Sequence, residues 1–251
     1  MAKQIIGSRI VCLDRISSTN AFVLKEMKEH SFPEGCVVVA LNQYAGQGAD
    51  VNTWESEPGK NLTFSIILYP DFLPLEYQFM LNKMASLGLF DYVSRLPVTE
   101  PVAIKWPNDL YIGNKKAAGI LINNMILGSS LVSTVLGIGL NINQQTFLSG
   151  APNPVSLKNA TGRDFDLSRC LTDLCYCLDR RYQELKKGCF IQMDDEYFRH
   201  QFRLGSYFPF QYQSRQIVAK IEDVDEMGRL VVTTTDGKMI RSNPKEITYI
   251  L

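Results

Sequence analysis

The chain has 251 residues, enough for one large domain with a smaller one beside it and for a sizeable buried core. Lysine plus arginine equals aspartate plus glutamate at 26 each, so a broad basic surface for nucleic acid is not expected. No apolar run approaches the roughly 18 residues of a membrane span, and the first residues lack a signal-peptide pattern.

Cysteine usage bears on the compartment. The 6 cysteines and 2 histidines show no metal-ligand spacing. Buried free thiols in a reducing environment are favoured over disulfides for such a chain. We therefore expect a cytoplasmic protein.

The first predicted elements are a strand over residues 5–13 and a helix that begins after residues 17–20 (SSTN) and ends near residue 29. Those four residues offer helix caps, and the same hydroxyl and amide groups are able to reach a small polar ligand. A buried strand at 36–41 then enters a loop over 42–54, where Gly46 and Gly48 let the backbone approach a ligand closely.

A strong strand at 61–69 and a helix within 74–96 lead to residues 105–110 (KWPNDL). Proline ends a strand there, and the Asn-Asp pair indicates a tight turn. Two lysines return on the next apolar run, at 115 and 116. A lysine, an amide and a carboxylate together suit chemistry that joins a carboxylate to ATP, although a charged hairpin at a sheet edge has the same composition.

The second half begins with paired strands predicted at 118–126 and 131–136. Residues 137–143 (GIGLNIN) are placed beyond that strand, with a bulged strand as the alternative. A loop at 153–162 and helices at 166–187 and 190–202 follow. From Gly205 short alternating runs predict a small β-barrel, so we divide the chain into domains 1–204 and 205–251.

Taken together these motifs resemble the biotin protein ligases, also called biotin–[acetyl-CoA-carboxylase] ligases. They occur in the family's order over nearly the whole chain, and the most specific are residues 105–109 (KWPND) followed by 116–121 (KAAGIL). The resemblance implies an α+β fold. Its catalytic domain is a mixed, largely antiparallel sheet backed by helices, as in class II synthetases, and its C-terminal domain is a small SH3-like β-barrel.

The resemblance also implies an activity, the ATP-dependent biotinylation of a carrier-protein lysine through biotinyl-5′-AMP. ATP and biotin are the expected substrates, with Mg²⁺. The expected partner is the biotin carboxyl carrier domain of a biotin-dependent carboxylase. DNA and membranes are not expected as partners, and the protein is expected to be a monomer or a homodimer.

Roles for individual residues follow from their places in the family's motifs. The implied catalytic residues are Lys116 and Asp109, and Asp109 is also the implied Mg²⁺ ligand. The implied biotin contacts are Ser18, Thr19, Asn20, Gln43, Gly46, Gln47, Gly48, Lys116, Gly119 and Gly137. The implied ATP contacts are Trp54, Lys105, Asn108, Asp109 and Asn141.

Two departures from the family pattern stand out. Larger members carry an N-terminal winged helix-turn-helix, which we do not expect here because the first catalytic motif begins at Ser18. The family's glycine-rich loop usually reads GRGRRGR, whereas residues 46–52 read GQGADVN and contain no arginine. Two other functions stay open. One is a lipoate or octanoate ligase or transferase, which shares the catalytic fold, and the other is a decayed, non-catalytic biotin-binding protein, which the missing arginines allow.

Overall fold

The computed structural model describes residues 3–49, 52–150 and 153–251. The elements in chain order are β1 (Ile10–Ile16), α1 (Thr19–Glu26), β2 (Val37–Gln43), β3 (Gly46–Gln47), β4 (Thr53–Trp54), β5 (Leu62–Leu68), a 3₁₀ turn (Leu75–Tyr77), α2 (Met80–Val93), β6 (Val102–Lys105), β7 (Asp109–Ile112), β8 (Lys115–Leu127), β9 (Ser130–Leu140), α3 (Leu157–Thr161), α4 (Leu167–Lys186), α5 (Phe190–Arg199), β10 (Phe208–Tyr212), β11 (Arg215–Val224), β12 (Leu230–Thr234), β13 (Met239–Ser242) and β14 (Ile247–Tyr249).

A seven-stranded sheet of order β1-β2-β5-β9-β8-β7-β6 forms the larger part of the fold. The edge strand β1 is parallel to β2, and every other neighbouring pair is antiparallel. Helix α1 contacts β2, β5 and β9, whereas α2 contacts β6, β7 and β8 and packs on α4 and α5. The predicted mixed, largely antiparallel sheet backed by helices is confirmed.

Side-chain alternation shows that the helices cover opposite faces of this sheet. Val38, Ile67 and Val135 form a small core with Val23 of α1. Their strand neighbours, such as Ile66 and Leu136, belong to the large core that contains the residues of α2 and α4. Because successive strand residues point to opposite faces, α1 lies on the face opposite α2 and α4.

Strand β9 is longer than predicted, and the prediction that residues 137–140 lie beyond it is wrong. Gly137 pairs with Ser65 of β5, and Gly139 pairs with Gly119 of β8, so both glycines are inside the sheet. Glycine in a strand interior weakens the strand, but here hydrogen-bonded pairing with β5 on one side and β8 on the other carries β9 through both glycines.

Two shorter predictions also differ from the structure. The opening strand occupies Ile10–Ile16, where it pairs with β2, rather than residues 5–13. The region 153–162 is not all loop, since it contains the short helix α3. Ser156 caps that helix by accepting from the Asn159 N–H, and Gly162 ends it in the left-handed conformation at φ 71°.

The C-terminal strands form a separate antiparallel sheet of order β13-β12-β11-β10-β14. Its two edge strands are consecutive in the chain, joined by residues 243–246. Five strands laid flat would separate those edges by about 19 Å, and the short connection reaches at most about 17 Å even when extended. The sheet must therefore curl, as a small barrel does. The division of the chain at residue 205, between α5 and β10, remains a proposal.

Buried contacts join this C-terminal unit to the strand end at residues 105–107 and to helix α2. The Trp106 indole donates to the Gly228 carbonyl at 2.9 Å. The Lys83 ammonium, only 2% exposed, pairs with Asp194 at 2.7 Å and donates to the Val224 carbonyl. These contacts satisfy buried polar groups whose burial alone would be costly, so the C-terminal sheet holds a fixed position beside the motif.

Two features bear on the environment of the protein. Within the described ranges, no helix is long and apolar enough to cross a membrane. All six cysteines are free, and four are buried, but Cys12 is exposed, so the expectation of buried thiols is wrong there.

The contact at Gly228 gives a stability prediction. Gly228 has φ +79°, and a β-carbon there would lie 2.3 Å from a ring carbon of Phe79. Gly237 has φ +84° with nothing within 4 Å, so it shares the backbone strain without the collision. Gly228→Ala should therefore lose about 1–3 kcal/mol more unfolding free energy than Gly237→Ala, the usual range for overpacking. Chemical denaturation of both variants measures this, and equal losses would contradict the proposed contact.

Candidate active site

An open cavity lies on the α1 face of the large sheet, with about 480 Å³ of empty space when the solvent at its mouth is included. It lies beside the N-terminus of α1, the end of β2 and the β3–β4 hairpin, with the central strands β8 and β9 below. Its lining residues are Ser18, Thr19, Asn20, Gln43, Gln47, Gly48, Ala49, Trp54, Phe64, Asn108, Asp109, Lys116, Gly119, Ile120, Leu121, Gly137, Ile138 and Gly139. Most predicted site residues, which are far apart in the sequence, therefore meet here.

One end of the cavity is polar and buried. The Thr19 backbone N–H donates to Gln43 Oε1 at 2.9 Å, and the Thr19 hydroxyl lies 3.2 Å from the same oxygen. Because that oxygen is used, the Gln43 amide must turn its N–H groups toward Gly46 and the cavity. A β-carbon on Gly46 would lie 2.7 Å from Gln43 Nε2, so glycine is required there. This end can both donate and accept hydrogen bonds.

Asn20 is held by the strands below it. Its Nδ2 donates to the Leu121 carbonyl at 3.1 Å and to Asn123 Oδ1 at 2.9 Å, and its Oδ1 lies 2.6 Å from the Ser65 hydroxyl. A β-carbon on Gly137 would lie 2.4 Å from Asn20 Oδ1. The amide is thus fixed by protein partners on both sides, and Gly137 makes the space that it occupies.

The backbone of two glycines forms the floor of the cavity, and the Trp54 indole packs on it. Gly119 and Gly139 are paired across β8 and β9, and the Trp54 ring lies over both. A β-carbon on Gly139 would lie 2.3 Å from Trp54 Cε2. The Trp54 Nε1 is buried and has no hydrogen-bond partner among the described residues. The bare strands therefore form a slot that accepts a flat ring.

Lys116 reaches the cavity because of a β-bulge. In a regular strand Lys116 and Gly119 would face opposite sides, since side chains alternate. The register between β7 and β8 shifts by one residue beyond the Leu110–Ala118 pair, which leaves Ala117 as the extra residue. A β-carbon on Gly119 would lie 3.4 Å from Lys116 Nζ, so the lysine is on the cavity face.

Asp109 lies opposite Gly119 on β7, and its carboxylate pairs with the Lys116 ammonium at 2.6 Å. The two side chains are 14% and 27% exposed, so the pair lines the cavity and is also open to solvent. Asn108 holds the turn in place, because its Nδ2 donates to the Ile120 carbonyl at 2.7 Å while Ile120 N–H donates back to the Asn108 carbonyl. The two predicted catalytic residues are in contact.

A divalent cation would find few protein ligands here. The described residues contain no group of three or more His, Cys, Asp or Glu side chains that could hold a metal ion. Asp109 is the one carboxylate that lines the described cavity. A single carboxylate fits Mg²⁺ that arrives on nucleotide phosphates, which commonly uses one or two protein carboxylates.

Three predicted site residues are not among those that line the described cavity. Gly46 lies beside it in β3. The Lys105 ammonium lies over the rings of Tyr111 and Tyr249, at 5.3 and 4.8 Å from their centres, and burial lowers its pKa. Asn141 is buried and donates to the Val155 carbonyl at 3.2 Å, and its Oδ1 has no partner among the residues that the structure describes. Their ATP and biotin roles stay predictions.

The arginine-free loop forms a short hairpin. Gln47 pairs with Thr53, and the Gly48 N–H donates to the Asn52 carbonyl at 2.8 Å. Asp50, which occupies a position where arginine is usual, lies outside the described residues. Among the described residues that line the cavity, Lys116 is the only lysine or arginine. Lys60 is exposed on the surface and is not one of the lining residues.

Several polar supports of the cavity were not predicted from the sequence. Ser65 is fully buried, and its hydroxyl is hydrogen-bonded to Asn20 Oδ1. Asn123 accepts a hydrogen bond from Nδ2 of the same Asn20 side chain. Ser65 had a detectable signal, because it and Thr63 are the two polar residues of the largely apolar strand β5. Asn123 had none, since the pairing of β8 beside α1 cannot be read from local pattern.

Comparison with known proteins agrees with this geometry. The model of the Biotin/lipoate A/B protein ligase family matches residues 12–141. The chain is 28% identical over 239 residues to the bifunctional ligase/repressor BirA of Bacillus spizizenii, covering 93% of this chain and 72% of that protein. It is 28% identical over 234 residues to the biotin–[acetyl-CoA-carboxylase] ligase of Paracoccus denitrificans, covering 91% of this chain and 95% of that protein.

A solved structure shares the fold. The biotin protein ligase from Aquifex aeolicus, in complex with biotin and ATP, superposes with a TM-score of 0.75 over 96% of this chain and 98% of that one. The sequences are 24% identical, so the likeness is one of fold.

The glycine floor predicts where the Trp54 ring lies. Gly139→Ala should push the indole off the strands and raise its accessibility to acrylamide, measured by fluorescence quenching. Trp106, the other tryptophan, is 2% exposed and contributes a constant background. Gly150→Ala is the control, because a β-carbon there meets nothing within 4 Å. Quenching of Gly139→Ala equal to that of the parent and the control would contradict this placement.

Proposed function

Because this chain belongs to the Biotin/lipoate A/B protein ligase family, we propose that it is a biotin–protein ligase. It joins biotin to AMP at the expense of ATP, and then transfers the biotinyl group to a lysine of a carrier protein. One relative is a biotin–[acetyl-CoA-carboxylase] ligase. We therefore propose the carboxyl carrier domain of such a carboxylase as the acceptor.

One observation carries the proposal. A single cavity contains a buried donor and acceptor end at Gln43 and Thr19, and the Lys116–Asp109 ion pair. A cyclic urea needs a donor for its carbonyl and an acceptor for its ring N–H, which the first end provides. The anionic end of the same molecule needs a cation, which Lys116 provides.

The chemistry proceeds in two balanced steps. A biotin carboxylate oxygen attacks the α-phosphorus of ATP, and the bond to pyrophosphate breaks. The carrier lysine amine then attacks the acyl carbon of biotinyl-AMP, loses a proton and releases AMP. Lys116 stabilises the negative charge on the α-phosphate and on the biotin carboxylate in the first step, as preorganised cations do in acyl and phosphoryl transfer.

The remaining residues hold the substrates in place. Trp54, whose indole packs on Gly119 and Gly139 near Lys116, forms the wall against which the adenylate binds. Asn108 fixes the turn that carries Asp109. Asp109 is the residue that would hold Mg²⁺ brought by ATP, and the ion would neutralise phosphate charge there. A cytoplasmic location completes the proposal, since biotin, ATP and the free thiols of this chain are compatible with that compartment.

The direct test is to incubate the protein with ATP, biotin and a carboxyl carrier domain, and to measure the intact mass of the carrier. Addition of one biotinyl group is the expected result. Lipoate and octanoate are offered in parallel, because the family also includes lipoate ligases. Modification of a lipoyl domain by lipoate in place of biotin would make the chain a lipoate ligase. Biotin binding without any transfer would make it a decayed binding protein.

Replacement of the cavity lysine tests its assigned role. Lys116→Ala should lower the rate of biotinyl-AMP formation by roughly 100-fold or more, since removal of one preorganised charge stabiliser costs about 3 kcal/mol. Lys115→Ala is the matched control, because Lys115 is the adjacent lysine on β8 and is exposed. Single-turnover formation of biotinyl-AMP measures both. A parental rate in Lys116→Ala with a slow Lys115→Ala would exchange the two roles.

The arginine-free loop predicts weak retention of the intermediate. A charge-assisted hydrogen bond to an anion is worth roughly 1.5–3 kcal/mol, so each missing arginine lowers the affinity by about one to two decades. Gln47→Arg combined with Ala49→Arg should therefore slow dissociation of biotinyl-AMP at least about tenfold by the same estimate. Gln47→Asn combined with Ala49→Gln, which adds no charge, serves as the control. A parental off-rate that the arginines leave unchanged would refute this role of the loop.

A further inference from the structure

We infer that Ser65, together with Asn20, fixes the direction of the Thr19 hydroxyl proton and so makes the polar end of the cavity selective for a ring N–H. This assigns Ser65 as a positioning residue for ligand specificity. The inference deepens the proposed function and rests on it, because the ligand concerned is the cyclic urea of biotin.

The assignment of hydrogen-bond directions starts from a backbone carbonyl, which can accept a hydrogen bond but cannot donate one. The Leu121 carbonyl can only accept, so the Asn20 side chain must direct its Nδ2 there and its Oδ1 toward Ser65. Asn20 Oδ1 also can only accept. The Ser65 hydroxyl must therefore donate its proton to Asn20 Oδ1, at an oxygen–oxygen distance of 2.6 Å.

That assignment determines the next proton in the chain. Ser65 Oγ lies 2.8 Å from Thr19 Oγ1, and two oxygens at that distance need a proton between them. The Ser65 proton is already committed to Asn20, so the proton must come from Thr19. The alternative partner of Thr19, Gln43 Oε1, is farther away at 3.2 Å and already accepts the Thr19 N–H.

The result is a Thr19 hydroxyl whose proton points into the protein and whose lone pair is left for the cavity. All three side chains, Thr19, Asn20 and Ser65, are at most 4% exposed, so water does not compete for their hydrogen bonds or reverse the donor directions. Gln43 is fixed in the same way by the Thr19 N–H, which can only donate. The cavity thus offers an acceptor at Thr19 next to a donor at Gln43.

This polarity predicts discrimination that shape alone does not give. A cyclic carbamate analogue of biotin, in which one ring N–H is replaced by oxygen, has the same size but would place a lone pair against the Thr19 lone pair. The parent protein should reject one of the two carbamate isomers. Without Ser65, the Thr19 hydroxyl is free to rotate and donate to that ring oxygen, so the rejection should weaken.

The experiment measures dissociation constants of biotin and of both carbamate isomers by calorimetry, for the parent and for Ser65→Ala. We expect the parent to prefer biotin over one isomer by about tenfold or more, and Ser65→Ala to lower that ratio by about tenfold, the size of one mismatched buried hydrogen bond. Ser86→Ala is the control. Ser86 is also buried and hydrogen-bonded to Asn82 on α2, and its loss should leave the ratio unchanged.

The outcomes separate this inference from the proposed function. If biotin binds and the ratio is the same in Ser65→Ala as in the parent, the proton assignment is wrong and the proposed function stands. If the parent binds no biotin, both fail. Thermal unfolding establishes that each variant is folded, and Ser65→Cys, whose thiol is a weak donor, carries the same test with an intermediate ratio if Ser65→Ala does not fold.

Discussion

The site depends on one β-bulge. Without the extra residue at Ala117, strand alternation would turn Lys116 to the α2 face of the sheet, and Asp109 would face the cavity without its partner. The bulge brings the cation and the carboxylate to 2.6 Å on the same face. The reciprocal hydrogen bonds between Asn108 and Ile120 fix the strand next to it. The proposed activation of a carboxylate needs this one irregularity.

The rest of the cavity exists because three strand positions carry no side chain. Gly119, Gly137 and Gly139 each leave space that a neighbouring side chain occupies, Trp54 over two of them and Asn20 over the third. Glycines in the middle of a sheet cost stability, and they persist where another group must approach the backbone closely. The polar end adds the opposite kind of constraint, since the hydrogen-bonding directions of Asn20 and Gln43 there are set by backbone groups.

The fold class and most residues that meet in the cavity were predicted from the sequence, because its motifs resemble those of the biotin protein ligases in identity and order. The bulge was not predictable, since the pairing of β7 with β8 is not visible in either strand alone. Gly137 and Gly139 were placed beyond a strand because local glycine content outweighs partners that are distant in sequence. Lys105 was assigned to ATP by its motif, yet a tyrosine from the last strand of the chain lies next to it.

The proposed central property of this cavity is that it joins the carboxylate of a cyclic urea acid to AMP. Exchange of labelled pyrophosphate into ATP measures that step directly, and it needs no carrier protein. We predict exchange that depends on biotin and that octanoate and lipoate do not support. Absence of exchange with biotin in the folded protein, or equal exchange with octanoate or lipoate, would contradict it.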